Sequence, residues 1–360
     1  MIVDGAIFDR DGARAAYARF SRGRLVEVGK RGTDSSHGRE RRVRGIVVPS
    51  PVNSHTHLGD AVSTIEPPVG PVARLVAAPG GYKFRLLARS GRREKDAAMR
   101  SALARMRRAG VAAVIDFREE GRAGVELLRK ASRRSGVRAV ILGRPLARPV
   151  DPAELRDVLA VADGIGLSSA RDEEEGTRRT VARACRAAGK RFALHASEAV
   201  RESPATYLDP HPDLLVHLAR ATPDDLRAVR DDRVTVAVCP RSNALFGRQP
   251  DLATMERLGV RTILGTDNAM FQAPSIWREL EFAYVGSRLR RRPVSAEFVA
   301  RSALVEPWRW LGRAGAAEIA PGSPARPLVL RLPPDDPTYQ LVTRATEHLI
   351  VRPGPGPGSA

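Results

Sequence analysis

From about residue 46 onward, short apolar runs alternate with longer stretches whose apolar positions recur at helical spacing. Such alternation is typical of parallel β-strands joined by helical crossovers. The pattern predicts eight strands, at 51–57, 111–117, 137–143, 163–168, 191–195, 213–217, 234–239 and 261–267. Eight is the strand number of a (β/α)8 barrel, so we predict an α/β fold with a TIM-like barrel over residues 46–313.

Glycine and proline mark the ends of the helices between these strands. Gly110 follows one stretch of helical periodicity, and Asp151-Pro152 precedes another. The predicted helices are 93–108, 121–134, 151–161, 172–188, 223–230, 276–291 and 295–312. Three prolines between His195 and His217 predict an irregular loop there, because proline does not fit the interior of a helix.

The two ends of the chain have a different pattern from the centre. Residues 1–45 read as short strands separated by turns, and residues 314–351 return to strand-like apolar segments. We predict that both ends build one small β-sandwich-like domain. Residues 352–360 are rich in proline and glycine, which predicts a disordered tail. The connection 58–92 is long and rich in the same residues, as active-site lids frequently are.

Four of the seven histidines fall at or near the ends of predicted strands. His55 and His57 lie two residues apart, so one strand presents both imidazoles on the same side. His195 and Asp267 each end a later apolar run, where barrel enzymes keep their chemistry. A catalytic zinc or iron site takes about three or four protein ligands and leaves a position for water. We expect one divalent metal here, with Zn2+ first and Fe2+ or Mn2+ as alternatives.

The charge of the chain points at first to an acidic partner. The formal net charge is +19, but the excess arginine is spread over the whole sequence. Only 5% of residues are aromatic, which leaves no stacking platform for single-stranded nucleic acid. We therefore expect a small-molecule substrate and no specific nucleic-acid partner, while homo-oligomerisation stays open.

The two cysteines, Cys185 and Cys239, match neither a disulfide framework nor a Cys-x-x-Cys zinc site. The chain shows neither the uninterrupted apolar core of a signal peptide nor the roughly 20 apolar residues of a membrane span. We expect a cytoplasmic protein without a membrane partner.

Seven motifs follow one another along nearly the whole chain: "GIVVPSPVNSHTHLGDA", "AAVIDFRE", "ALHASE", "LVHLAR", "VAVCPRSNALFG", "TILGTDNAM" and "EIAPGSPARPLVL". In this order they resemble the amidohydrolase superfamily of metal-dependent hydrolases, in particular the branch of cytosine deaminase, guanine deaminase and chlorohydrolase-like enzymes. The resemblance implies that His55, His57 and His195 are the imidazole ligands. It also implies that Asp267 touches both the metal and its water.

The resemblance gives roles to two further residues. Glu198, in a His-x-x-Glu motif, would take a proton from the attacking water and give one to the leaving group. His217 would orient or polarise the attacking hydroxide. Binuclear members carry a carboxylated lysine at the end of the fourth strand, where this chain has serine. The expected centre is therefore mononuclear.

Candidate substrate contacts follow three of the predicted strands. The resemblance suggests that Arg241 and Asn243 reach the pocket from the loop after the seventh strand. Glu119 and Arg144 follow the second and third strands, at the catalytic rim of a barrel, although salt bridges of the rim would also explain them.

Two more candidates, Tyr82 and Lys83, lie in the predicted lid. An aromatic and a cationic group there suit a planar ring, although a turn packed on the barrel would have the same residues. Asp60, just after the His-x-His motif, is expected either to orient a ligand histidine or to cap the loop.

These observations lead us to predict a mononuclear metal-dependent deaminase. It would add water to a cyclic amidine-type compound, such as a nucleobase, nucleoside or pterin-like molecule, and release ammonia. One alternative keeps the site but hydrolyses a carbon–chlorine bond or opens a cyclic amide. Another, of a different class, is a barrel protein that binds an acidic partner through its basic surface.

Overall fold

The computed structural model describes residues 1–34, 40–66, 72–76, 80–324 and 326–351. By its internal contacts the chain divides into a unit that contains the predicted metal ligands and a unit that contains both chain ends. The first consists of Asn53–Arg107 and Ala113–Glu279; the second of Met1–Val52, Arg108–Ala112 and Leu280–Ala360. The domain boundaries predicted from the sequence stay a prediction. The predicted tail at 352–360, and residues 67–71 and 77–79 of the predicted lid, lie outside the described residues.

The described residues form fifteen strands and fourteen α-helices. The strands are β1 (Ile2–Asp9), β2 (Gly12–Ser21), β3 (Arg24–Lys30), β4 (Arg42–Pro49), β5 (Val52–His57), β6 (Ala113–Arg118), β7 (Arg138–Gly143), β8 (Gly164–Leu167), β9 (Arg191–Ala196), β10 (Leu214–His217), β11 (Thr235–Val238), β12 (Thr262–Leu264), β13 (Asp267–Asn268), β14 (Pro327–Leu330) and β15 (Ile350–Val351).

The helices are α1 (Val72–Val76), α2 (Tyr82–Arg89), α3 (Arg92–Arg108), α4 (Gly121–Ser132), α5 (Pro152–Val161), α6 (Glu175–Ala187), α7 (Pro204–Leu208), α8 (Pro223–Asp231), α9 (Pro240–Leu245), α10 (Leu252–Leu258), α11 (Ile276–Leu289), α12 (Ala296–Leu304), α13 (Glu306–Trp310) and α14 (Pro337–Arg344). None of these helices combines the length and the apolarity that crossing a membrane requires.

The barrel sheet contains all eight strands predicted from the apolar runs. Its strand order is β12-β11-β10-β9-β8-β7-β6-β5-β13, so from β5 to β12 the neighbours in the sheet are consecutive strands of the chain. β12 and β13 are two pieces of the eighth strand. β12 pairs in parallel with β11, and β13 pairs in parallel with β5. The eighth strand therefore joins the seventh to the first, and the predicted TIM-like barrel is confirmed.

The predicted helices are present, with two differences. The segment predicted at 295–312 is divided into α12 and α13 at Val305, where the backbone leaves helical geometry. Pro307 then begins a new helix, since proline is tolerated in a first turn. Between His195 and His217 the predicted loop contains the one-turn helix α7, which starts at Pro204.

The terminal unit is built on a six-stranded sheet of order β15-β14-β4-β1-β2-β3. β1 and β4 run parallel, whereas β1 and β2, like β4 and β14, run antiparallel. Both chain ends contribute strands, as the sequence predicts. The core of this sheet includes Ile7, Phe20, Val47 and Val329, all at most 3% exposed.

Candidate metal centre

The side chains predicted as metal ligands converge at the carboxyl ends of the barrel strands. The Nε2 atom of His55 lies 3.3 Å from Asp267 Oδ1 and 3.3 Å from the Nε2 of His195. His57 Nε2 lies 3.6 Å from the same oxygen of Asp267. Two overlapping groups could each hold a metal ion, His55–His57–Asp267 and His55–His195–His217. Each of the other three predicted ligands shares a group with His55, and the four together form the candidate centre.

For His57 and His195, the hydrogen bond of Nδ1 shows which ring nitrogen carries the proton and which one presents a lone pair to the centre. His195 Nδ1 lies 2.9 Å from the carbonyl oxygen of Leu167, which can only accept, so Nδ1 carries the proton. His57 Nδ1 lies 2.8 Å from Glu119 Oε1 and carries the proton for the same reason. Burial lowers the pKa of both rings, to about 3 for His57, which favours neutral imidazoles. Their Nε2 atoms are then acceptors.

The centre therefore contains several hydrogen-bond acceptors and few donors. Two imidazole lone pairs and the Asp267 carboxylate face one another within a few ångströms, and burial also lowers the pKa of His55. His55 Nδ1 has no hydrogen-bond partner among the described residues. Buried acceptors that face each other repel unless a cation lies between them. Neutral imidazole and carboxylate suit a divalent transition metal, so the donor set fits the expected ion.

The local backbone explains why these ligands meet. Thr56 points away from the centre, and its hydroxyl donates to Asp116 Oδ2 at 2.8 Å. Asp267 has a φ of 61°, a left-handed conformation that is uncommon outside glycine. Asn53 and Thr266 exchange two hydrogen bonds of 2.8 and 3.0 Å, which fixes the eighth strand against the first. Asp267 is thereby held beside the His-x-His strand.

Glu198 and His217 lie beside the ligand set and face each other. His217 Nε2 lies 3.8 Å from Glu198 Oε2. Asn243 Nδ2, a donor, lies 3.2 Å from His217 Nδ1, so Nδ1 accepts and Nε2 carries the proton toward Glu198. Burial raises the pKa of Glu198 above its usual value. Both residues line the cavity above the centre together with His57, His195 and Asp267.

A cluster of buried charges supports His57 from behind. Glu119 Oε1 accepts from His57 Nδ1 and from Lys83 Nζ, at 2.8 and 2.5 Å, and Glu119 Oε2 accepts from Arg118. Lys83 Nζ also lies 2.9 Å from Asp60 Oδ2. Asp60 accepts a further bond of 2.8 Å from Asn268 and has no contact with a ligand histidine in the described bonds. The four charged residues of the cluster are at most 3% exposed: Asp60, Lys83, Arg118 and Glu119.

Two of the six predicted substrate contacts line the cavity, and four do not. Lys83 and Arg144 are among the residues that line it, whereas Tyr82, Glu119, Arg241 and Asn243 are not. Arg241 donates from its guanidinium to Ala273 O and from its backbone to Glu279. Asn243 contacts His217, and Glu119 contacts His57. That any of the six contacts substrate stays a prediction.

Sequence reasoning missed the support that this cluster gives to His57. One signal was available: the strand β6 has the sequence AVIDFR, which places Asp116 and Arg118 inside an otherwise apolar run. Buried charges need partners, so two charges in a barrel strand indicate others nearby. The partners themselves, Asp60 and Lys83, come from a segment whose position the apolar pattern does not determine.

A comparison of the sequence with protein families now identifies the class of the protein. The profile of the Amidohydrolase family matches residues 46–351, so this chain belongs to the amidohydrolase family, and the resemblance of its motifs is confirmed. A candidate aminohydrolase of Methanothermobacter thermautotrophicus is 32% identical over 327 residues, which are 85% of this chain and 84% of that protein.

Solved structures share the fold at low sequence identity. A zinc-bound adenosine deaminase of Xanthomonas campestris is similar with a TM-score of 0.78 and 16% identity, over 97% of this chain and 90% of that one. A zinc complex of the atrazine chlorohydrolase of Arthrobacter aurescens is similar with a TM-score of 0.75 and 16% identity, over 99% and 97%. At such identities the likeness establishes the fold.

Proposed function

We propose that this amidohydrolase uses one divalent metal to remove an amino group from a cyclic amidine-type small molecule, with release of ammonia. Nucleobases, nucleosides and pterin-like compounds belong to this substrate class. The observation that carries the proposal is the place of Glu198 in the cavity, beside His217 and the ligand set. Deamination needs a group that delivers a proton to a departing amine, and this carboxyl group is placed to do so.

Two of the similar proteins support this reaction. The relative from Methanothermobacter thermautotrophicus is described as a candidate aminohydrolase, and it aligns with most of this chain. The protein from Xanthomonas campestris with the same fold is an adenosine deaminase with bound zinc. Zinc is accordingly the metal that we propose, with Fe2+ and Mn2+ as alternatives because imidazole suits all three.

The residues of the site have separate roles in the proposed reaction. A divalent ion, when bound, lowers the pKa of water toward about 7 and so supplies hydroxide at neutral pH. His55, His57, His195 and Asp267 would hold that ion. Glu198 takes the proton that the water loses and passes it to the amino nitrogen as the carbon–nitrogen bond breaks. The proton of the remaining hydroxyl group moves to the adjacent ring nitrogen, so the carbon keeps the oxygen as a carbonyl group and the amino nitrogen leaves as ammonia. His217, fixed by Asn243, orients the reacting oxygen.

A chlorohydrolase-like or ring-opening reaction is the second candidate. The atrazine chlorohydrolase with this fold favours the first of these. Chloride leaves as an anion and needs no proton, whereas ammonia does. Proton transfer by Glu198 to the leaving group is therefore required for deamination but not for dechlorination.

The test is a substrate panel assayed with the protein loaded with Zn2+, Fe2+ or Mn2+. The panel contains amino-substituted purines, pyrimidines and pterins, their chloro analogues and cyclic amides, and ammonia, chloride and ring opening are measured. We expect ammonia from at least one amino compound.

In Glu198→Gln, which keeps the size of the side chain, we expect kcat to fall about 100-fold or more. Glu126→Gln, on the exposed face of α4, is the matched control. Turnover that is unchanged in Glu198→Gln would contradict the mechanism.

A further inference from the structure

Two arginines, Arg144 and Arg171, line the cavity. Arg144 directly follows β7, and Arg171 follows β8 by four residues. Among the described residues, neither guanidinium forms a hydrogen bond or an ion pair. Arg144 is half-buried and Arg171 is exposed. The side of the cavity at the ends of the third and fourth barrel strands, called the arginine wall below, therefore presents the guanidinium groups of Arg144 and Arg171 to a ligand.

Two other cations near the cavity, Lys83 and Arg148, are already paired with carboxylates. Lys83 lies between Asp60 and Glu119, at 2.9 and 2.5 Å. Arg148 donates to Ser168 Oγ at 2.9 Å and lies 3.4 Å from Glu173 Oε1. Within the described residues, Arg144 and Arg171 differ from these two cations because their guanidinium groups form no hydrogen bond or ion pair.

Two carboxylates that line the cavity, Glu202 and Asp172, form no ion pair with these arginines in the described part of the chain. Glu202 accepts from the backbone amides of Ser197 and Arg171 and from the hydroxyl of Ser169, at 2.5, 2.8 and 2.9 Å. Asp172 lines the cavity but is exposed, and no ion pair within 4 Å joins it to either arginine in the described part of the chain. Glu119, Glu173 and Asp172 attract Arg144 at longer range, but no carboxylate in the described part of the chain forms an ion pair with either guanidinium group.

The position of Arg144 is fixed by its backbone. Its amide donates to Arg118 O at 2.8 Å, and its carbonyl oxygen accepts from Gly121 N at 3.2 Å, which ties it to the end of the neighbouring strand. Burial lowers the pKa of its guanidinium, as expected for a cation withdrawn from water, yet arginine stays charged at neutral pH. A partly desolvated cation that no carboxylate contacts directly costs free energy, part of which an anionic ligand in direct contact would recover.

On the basis of the proposed deamination, we propose that the substrate carries an anionic substituent, a carboxylate or a phosphate, which Arg144 binds from the cavity wall with Arg171 as a second cation. Guanidinium groups bind both anions through paired hydrogen bonds. The amino group would face Glu198 while the anionic group faces the arginine wall. The substrate class narrows from amino heterocycles to anionic amino heterocycles.

The experiment compares rings that differ only in the anion. The probes are cytosine and 5-carboxycytosine, pterin and 6-carboxypterin, and adenosine and adenosine 5′-monophosphate. Binding to the metal-loaded protein is measured by calorimetry, and kcat/KM by ammonia release. We expect the anionic member of at least one pair to bind about 10- to 100-fold more tightly, the range that a charged hydrogen bond supplies. The carboxylate and phosphate arms show which anion the wall prefers.

Variants then assign the preference to Arg144. In Arg144→Met we expect the anionic member to lose its advantage, while the neutral member binds as before. Arg144→Lys should keep part of the preference because it keeps the charge. Arg122→Met removes the same charge from the exposed face of α4 and should change neither affinity. Thermal melting of each variant checks that it folds.

The outcomes separate this inference from the proposed function. If neutral and anionic members bind equally in every pair, or if Arg144→Met weakens both members alike, the anion site is refuted. Those results leave deamination standing if ammonia is released. If no probe releases ammonia, the deaminase proposal is in question, but the measured affinities still decide whether Arg144 binds an anion.

Discussion

At the scale of single residues, the orientation of His57 and of His195 depends on the oxygen atom that accepts from the Nδ1 atom of each ring. Sequence spacing predicts that His57 faces a metal, because the residue types and their order suffice for that. It does not predict that Glu119 holds His57 Nδ1, nor that Lys83 and Arg118 hold Glu119 in turn. Those contacts join residues up to 62 positions apart, and the pattern of apolar residues carries no information on them.

Removing the charge of Glu119 should weaken metal binding. A carboxylate that accepts from a ligand histidine raises the basicity of the ring and fixes its orientation, and its loss typically costs about 10- to 100-fold in metal affinity. We therefore expect the dissociation constant for Zn2+ to rise by about that factor in Glu119→Gln, measured by competition with a chelating dye. Glu120→Gln, at the next position, should bind Zn2+ as the wild type does. Equal affinity in all three proteins would show that Glu119 does not support the centre.

The buried carboxyl group of Glu279 should make folding stability depend on pH. Burial raises its pKa from 4.5 to about 8, against the charge of Arg241. The folded protein keeps this proton at a pH where the unfolded chain has lost it. Its contribution to stability is therefore full below about pH 4.5 and is lost as the pH rises toward about 8.

Glu279→Gln removes this dependence and provides the measurement. Urea unfolding at pH 5 and pH 8 should show a smaller loss of stability with rising pH in Glu279→Gln than in the wild type. Glu281→Gln, two residues along α11 and exposed, should keep the wild-type difference. The same difference in all three proteins would mean that Glu279 does not carry the effect.

At the scale of elements, the apolar runs predict all eight barrel strands because buried parallel strands are apolar on both faces. The break in the eighth strand is not predictable in this way. Gly265 and Thr266 separate β12 from β13, and Thr266 is tied to Asn53, which lies 213 residues earlier. This break places Asp267 beside His55, so a detail of one strand completes the candidate centre.

Gly265 is required where the eighth strand approaches the first. A Cβ atom at Gly265 would lie 2.4 Å from the backbone nitrogen of His55, a distance that only movement of the backbone could relieve. We expect Gly265→Ala to lower the free energy of unfolding by about 1–3 kcal/mol and to reduce bound metal. Gly176→Ala, in α6, meets no atom within 4 Å and should be neutral or slightly stabilising. Chemical denaturation and metal analysis of both variants test this, and a fully stable, metal-replete Gly265→Ala protein would contradict it.

At the scale of the whole molecule, the alternation of strands and helices predicts the barrel, and the strand-like ends predict the additional sheet. The charge of +19 is a property of the same scale. A positive field attracts polyanions without sequence specificity, and such binding falls steeply with salt. A barrel that binds an acidic macromolecule is therefore the main alternative to a catalytic role.

Polyanion binding should be separable from turnover. We expect heparin to bind at low salt and to dissociate as salt approaches physiological strength, while kcat for an active amino heterocycle stays unchanged with heparin present. Binding is followed by fluorescence anisotropy and turnover by ammonia release. Tight binding that persists at physiological salt, in a protein without stoichiometric metal, would favour the binding role over catalysis.

The central claim is that His55, His57, His195 and Asp267 hold one divalent ion. The most direct measurement is anomalous diffraction at the zinc absorption edge from crystals of the zinc-loaded protein. The account predicts one strong peak about 2.0–2.2 Å from an Nε2 atom of each histidine and from a carboxylate oxygen of Asp267. No peak among these side chains, or a second peak of equal height beside the first, would contradict a mononuclear centre at this site.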